Sequence, residues 1–461
     1  MVLDYAKKDY YYGVIEKLQE IDYPKYDGPI TLFETLNGVP GDRFIKPVDE
    51  NTAAGLGFGK KKKNHLEIKW YNDRGEEVEA MQGRKVLYPS DYLRDAVKDA
   101  LQQMCDRQFM SMFVRSALKD EPAKIKEDGT TKIRIFGVLS FQWLLLGKML
   151  FARVASALLS IPTVAEMYQG ISVLGHDWTE FYSHIIAFEP TQVGEGDYSK
   201  YDTSISGQML RAAGDILINL ARFLGHDEIW LVAMTSYIES LALNAWVFNG
   251  AIFIVDGWNP SGNWLTAIFA GMVNSLLHRM VFYQHVRKHA RFRNYVHLAV
   301  LGDDSLFSTI CPWYNCLTIE AYYASINMVY TPAEKDNSLK PFVKPYDATF
   351  GKRKFRWEPA YSCFVAPLDK DSIFKSLHNY MQSDTDPMTI AVCVVDQALI
   401  EFVRHGKLDF CAFQSLMKRV CSLAGIDHMI LYLGYTYEEM LQMLFERQFD
   451  QYRIVHSYGS P

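Results

Sequence analysis

Residues 295–309, YVHLAVLGDDSLFST, decide how the rest of the chain is read. The apolar run Leu298, Val300 and Leu301 leads into Gly302-Asp303-Asp304, and then into the alternating Ser305, Leu306, Phe307 and Ser308. This pattern predicts two short strands meeting at a turn, with two carboxylates at the tip. Adjacent acids in an apolar hairpin repel each other and lose hydration. They call for a compensating cation, a hard divalent metal such as Mg²⁺ first of all. A lone Gly-Asp-Asp is equally an ordinary solvated turn, so its meaning depends on partners elsewhere.

The chain has 461 residues, 49% hydrophobic and 22% charged, which is the balance of a globular protein with a large core divided into two or three compact parts. A net charge of −6 argues against a surface that coats itself with nucleic acid, but leaves room for a local basic channel. Seven cysteines form no CxxC pair and are odd in number, so reduced thiols are expected and a zinc site is not. No signal peptide is expected. The most apolar stretch, residues 136–161, is interrupted by Gln142, Lys148 and Arg153, and reads as a buried helix rather than a membrane span.

Tyr5, Tyr10, Tyr11, Tyr12 and Tyr23 suggest an anchored N-terminal arm. Residues 51–63, NTAAGLGFGKKKK, set Gly55, Gly57 and Gly59 before Lys60 and Lys61. Such a loop suits close approach to phosphates, or is simply solvated; it fails the Walker pattern at Ala54 and Lys61, and GxGxxG at Lys60. A helix starts at Ser90-Asp91, steps through Leu93, Val97, Leu101, Met104 and Phe109, and is expected to end near Lys119. Lys119, Lys124, Lys126, Lys132 and Arg134 follow, with Asp128-Gly129 as a turn. They would line a groove for a triphosphate or a nucleic-acid backbone, or form an exposed charged hairpin.

Residues 193–202, VGEGDYSKYD, place Asp197 at a strand tip and Asp202 at a helix start, where a capping role would also explain it. Residues 245–255 read as a hairpin around Asn249-Gly250. They deliver the chain to Ser261-Gly262 and a long helix on which Thr266 and Asn274 share a face. A helix over residues 314–326 comes next, then Thr331-Pro332-Ala333-Glu334-Lys335. A further hairpin is expected from residues 348–355 and a strand near 362–365. From Asp369 the pattern is helical, strongest over residues 372–380, 389–403 and 437–449.

In this order the motifs resemble the RNA-dependent RNA polymerases of picorna-like positive-strand RNA viruses, over roughly residues 51–364. They are Asp197-x4-Asp202, Ser261-Gly-x3-Thr266, Gly302-Asp303-Asp304, Thr331 to Lys335 and Thr349-Phe350-x-Lys352-Arg353, preceded by the basic run. The resemblance implies an α+β right-hand polymerase. Fingers would take residues 1–190 with 225–260 as an insertion, the palm 191–224 and 261–367, and the thumb 368–461. It implies an RNA-directed RNA polymerase with Mg²⁺, or Mn²⁺ in its place, held by Asp197, Tyr198, Asp303 and Asp304, because two-metal nucleotidyl transfer needs acids from separate segments at one point.

The resemblance further implies Lys335 as the acid that protonates pyrophosphate. Lys119, Lys132 and Arg134 would hold the triphosphate, and Asp202, Ser261, Thr266 and Asn274 would attend the nucleotide. Gly55, Lys60, Lys61, Lys352 and Arg353 would meet RNA. In many relatives an Asn stands where this chain has Ala270, so ribose recognition departs from the family pattern. Expected partners are an RNA template and primer, ribonucleoside triphosphates and, as a candidate, a small viral protein primer. The expected setting is the host cytoplasm at membrane-associated replication sites. The competing readings are a reverse transcriptase and a catalytically idle RNA-binding protein of the same fold.

Overall fold

A computed structural model describes the chain except residues 60, 120, 122–124, 126–127, 132, 174–175, 287–288, 334–337, 380–384 and 447–461. At its centre lies a four-stranded antiparallel sheet in the order Tyr330–Thr331, Gly194–Tyr198, Asp304–Thr309, Val296–Leu301. The 295–309 hairpin forms as expected, with Asp304 opposite Leu301 and Ser305 opposite Val300. Ser305 also faces Gly196, and Thr331 faces Asp197, so the two acidic segments lie on neighbouring strands. The helix Thr266–His285 packs against this sheet, and the helix Val2–Glu20 packs on that helix in turn. The tyrosine-rich arm is thus a 19-residue helix whose Tyr10 is fully buried.

A second sheet joins distant segments in the order Ile135–Leu139, Met112–Leu118, Leu243–Phe248, Ala251–Asp256. Its middle pair is parallel, Met112 opposite Asn244, while the Asn249-Gly250 hairpin closes its edge with Asn249 at φ +48°. This corrects one expectation. The helix from Asp91 ends at Cys105, and Met112–Leu118 is a strand, because Met112 and Val114 are needed as buried strand residues beside Trp246. Residues 136–161 likewise split into the strand Ile135–Leu139 and the helix Phe141–Leu159.

That helix is long and apolar enough to cross a membrane, yet 78% of its most apolar window is buried inside the protein. Its polar interruptions are spent internally. Lys148 donates to the carbonyls of Thr35 (2.6 Å) and Lys46, and burial pushes its ammonium down to about 8. Gln142 donates to the Ala96 carbonyl (2.9 Å), and Arg153 lies over the Tyr26 ring.

The C-terminal part has its own core of Phe402, Phe410, Phe413, Met417 and neighbours. Its helices are Lys370–His378, Pro387–Val403 and Lys407–Ala424, followed by a helical run at residues 437–446. The helix Lys407–Ala424 was not singled out in the sequence. The late hairpin pairs Arg356–Glu358 with Cys363–Val365, so its first strand begins after residues 348–355, which instead turn back on themselves through Phe350 and Arg353. All seven cysteines carry free thiols.

Candidate active site

The site is built where the strand Gly194–Tyr198 ends beside the hairpin turn. Gly196 sits there because the Tyr330 ring covers it: a Cβ at position 196 would lie 2.0 Å from that ring. Tyr330 in turn shares a hydrogen bond with Ser305 Oγ (3.0 Å), which locks the neighbouring strands together below their acidic ends. The Asp303 carboxyl stands close enough to Asp197 to feel its charge. Burial, then the Asp197 carboxylate, hold the Asp303 carboxyl up to about 6.

Two acids confined in this way form a donor set that a divalent cation relieves, and this fits the residues to a metal role. Among the described residues no three His, Cys, Asp or Glu side chains are already gathered at ion-holding distance. Asp304 opens the second strand, opposite Leu301. Tyr198 can serve a metal only through its main chain. Its phenol is buried and donates to Asn274 Oδ1 (2.9 Å), leaving only its main-chain carbonyl for a metal.

Asp202 lies in the short helix Tyr201–Ser204 and caps nothing; Lys200, in the left-handed region at φ +57°, is the residue before that helix. Asp202 Oδ2 instead accepts from Ser261 Oγ (3.1 Å), and the Asp202 carbonyl accepts from Asn259 N (2.9 Å). The two sequence motifs are thereby joined. Burial raises the Asp202 carboxyl, opposed by the Ser261 bond and the charge of Lys119.

Arg134 and Lys119 flank the strand pair Met112–Leu118 and Ile135–Leu139, with Lys119 N donating to the Arg134 carbonyl (2.8 Å). Both cations pair with Glu121, and Arg134 also feels the charge of Asp303. Arg134 and Lys119 therefore face the acids. Lys132 and Lys335 lie outside the described residues.

Several expected contacts are redirected. Thr266 Oγ1 donates to the carbonyls of Pro260 and Asn263 (both 2.7 Å), so it closes its own loop. Asn274 is fully buried and holds the Gly302 and Asp303 carbonyls (3.1 and 3.2 Å), not a ligand surface. Arg353 is bidentate to Glu401 (3.0 and 3.1 Å) and donates to the Ala366 carbonyl, so it clasps the C-terminal helices; Lys352 beside it is exposed.

Gly55 is buried at φ +77°, where a Cβ would lie 2.1 Å from the Leu139 carbonyl, so its place in the loop is a packing requirement. Lys60 lies outside the described residues, and Lys61 is half-buried in a bridge with Ala53. Sequence reasoning passed over Ser275 and Arg279 as supports. The signal available was the polar set 274, 275, 278 and 279 inside an otherwise apolar helix.

Hairpin, neighbouring acidic strand and facing cations together define a polymerase-type centre. A family model described as viral RNA-dependent RNA polymerase matches residues 31–407, and the chain belongs to that family. Among its relatives, the replicase polyprotein of Drosophila C virus is 23% identical over 428 residues, covering 86% of this chain and 23% of the polyprotein. The genome polyprotein of encephalomyocarditis virus (strain emc-b nondiabetogenic) is 26% identical over 340 residues, covering 73% of this chain and 13% of the polyprotein.

The chain therefore spans less than a quarter of the length of these curated relatives. The solved Sicinivirus 3Dpol RNA dependent RNA polymerase superposes with a TM-score of 0.73 at 20% identity, over 96% of this chain and 85% of that one. The fold is that of a right-hand polymerase, as the resemblance implied.

Proposed function

We propose that this chain copies an RNA template by adding ribonucleoside monophosphates from the triphosphates to a primer 3′-hydroxyl, releasing pyrophosphate. The observation that carries the proposal is the placing of Asp197 and Asp303 on neighbouring strands at the hairpin turn, close enough that the charge of one raises the other. Asp197 and Asp303, with Asp304 and the Tyr198 carbonyl in support, would hold Mg²⁺. Bound there, the ion supplies stabilisation of charge on the attacking and leaving oxygens.

The protein's own groups do the rest. Arg134 and Lys119 bind the triphosphate. The Arg134–Glu121 pair is exposed on the arginine side (65%) and contributes about 0–1 kcal/mol, so a triphosphate can displace Glu121. Asp202 and Ser261 present an acceptor and a hydroxyl to the sugar, and a deoxyribose would leave half-buried Asp202 without that partner. Lys335 keeps its place as proton donor to pyrophosphate by its motif position alone. Exposed Lys352 contacts the primer strand. A small viral protein primer as partner, and replication sites on host cytoplasmic membranes, are part of the same proposal.

The test is primer extension on an RNA template with Mg²⁺ and all four nucleotides of each sugar type. Ribonucleotides should be incorporated, and Asp197→Asn or Asp303→Asn should lower the rate by at least about 10²-fold, as loss of a preorganised charge does. Undiminished synthesis in folded variants would remove the acids from the reaction. Preference for deoxyribonucleotides would promote a reverse transcriptase instead.

A further inference from the structure

The turn that carries Asp303 and the strand that carries Asp197 are joined by one side chain. Asn274 Nδ2 donates to the carbonyls of Gly302 (3.1 Å) and Asp303 (3.2 Å), with Asp304 at 3.4 Å, while its Oδ1 accepts from the Tyr198 hydroxyl (2.9 Å). Asn274 is fully buried, and Tyr198 is 3% exposed. Burying an amide among apolar neighbours is costly unless its hydrogen bonds are made, and here both ends are used.

The Tyr198 ring is itself fixed, stacked on Tyr323 (5.4 Å between centroids) and edge-on to Tyr330 (5.4 Å). Tyr198 N also donates to Asp197 Oδ1 (2.7 Å), so the residue that receives Asn274 orients the catalytic carboxylate directly. The rigid helix Thr266–His285 carries Asn274, and both acidic segments are referred to it. Turn carbonyls drawn inward onto one donor leave the turn little freedom to slide along the neighbouring strand.

We infer that Asn274 is a positioning residue: through the Tyr198 hydroxyl and the carbonyls of residues 302–304 its amide sets the spacing between Asp197 and Asp303. It serves turnover and not sugar recognition, although the resemblance set it among the residues that attend the nucleotide. The inference rests on the proposed nucleotidyl transfer. It differs from a general packing role in that it concerns two segments meeting at one amide.

The experiment compares the unmodified chain with Asn274→Leu, which keeps the number and branching of heavy atoms and removes both hydrogen-bonding functions, and with Tyr198→Phe, which removes one hydroxyl and keeps the ring. Steady-state primer extension should show kcat lowered by about 10²-fold in Asn274→Leu, the scale of a 1 Å misplacement, and less in Tyr198→Phe. KM for the nucleotide and the ribose-to-deoxyribose ratio should stay within twofold. Hydrogen–deuterium exchange should quicken at residues 197–198 and 302–305 in both variants while the helix Thr266–His285 stays protected.

A changed KM or sugar ratio with kcat intact would overturn the inference in favour of a ribose contact, and unchanged kcat and exchange would overturn it outright. If Asn274→Leu does not fold, Tyr198→Phe carries the same readouts. An unmodified chain that makes no RNA would be a failure of the proposed function. Exchange quickened at both segments in that case would still show the tie, and unchanged exchange would refute it.

Discussion

Arg279→Met is the substitution whose cost follows most directly from the structure. Arg279 is fully buried and donates from Nε to Asp9 Oδ2 (2.8 Å), from Nη1 to Glu166 Oε2 and Ser275 Oγ (both 2.6 Å), and from Nη2 to Glu166 Oε1 (2.7 Å). With the guanidinium removed, Glu166, only 1% exposed, keeps the Ser275 hydroxyl (2.6 Å) as its remaining side-chain partner in that cluster. Breaking a buried pair from one side costs about 3–5 kcal/mol, because the other charge is left uncompensated.

The loss would be felt at the active site. Glu166 is held in the left-handed region at φ +62°, and its carbonyl accepts from Val300 N (2.8 Å), two residues before Gly302. Urea unfolding followed by intrinsic fluorescence measures the cost. At an m-value of about 3 kcal/mol/M the midpoint should fall by about 1–1.7 M. Glu166→Gln combined with Arg279→Met removes both charges and should cost less than the two single substitutions added together. A single-variant loss below about 1 kcal/mol, or strict additivity in the double variant, would refute the account of Glu166 as a charge held in place by Arg279.

Two further outcomes are expected. Arg353→Gln should lower stability by about 1.5–3 kcal/mol, the range for hydrogen bonds to a charged group, while RNA affinity measured by filter binding stays within twofold; lost affinity at unchanged stability would return Arg353 to the primer. Burial, then the charge of His297, depress the His184 imidazole to about 4 in the folded protein from an ordinary value of 6.5. The unfolded chain therefore binds the extra proton between these values. Stability should fall by up to about 3 kcal/mol as pH drops from 6.5 to 4, and His184→Phe should flatten that slope. An identical slope in the variant would assign the acid sensitivity elsewhere.

The acidic hairpin, the strand ending in Asp197 and the Asn249-Gly250 hairpin were legible in the sequence because alternation and turn chemistry are local. Their family order carried the rest of the reading, including the union of Asp202 with Ser261. The helix from Asp91 was read too long, since nothing local tells Phe109 that the chain must turn to feed Met112 and Val114 into a sheet with residues 243–248.

Arg353 and Asn274 show the same limit. A guanidinium or an amide carries its chemistry in the sequence but not its partner, and the partners chosen, Glu401 and the 302–304 carbonyls, are 48 and about 30 residues away. The sequence by itself determined which chemistry the chain holds: paired acids, facing cations and the order of its motifs. Only the tertiary structure decided which polar groups meet the ligand and which brace the site. A buried donor must satisfy whatever acceptor the packed fold brings to it, and that choice is made across the whole chain.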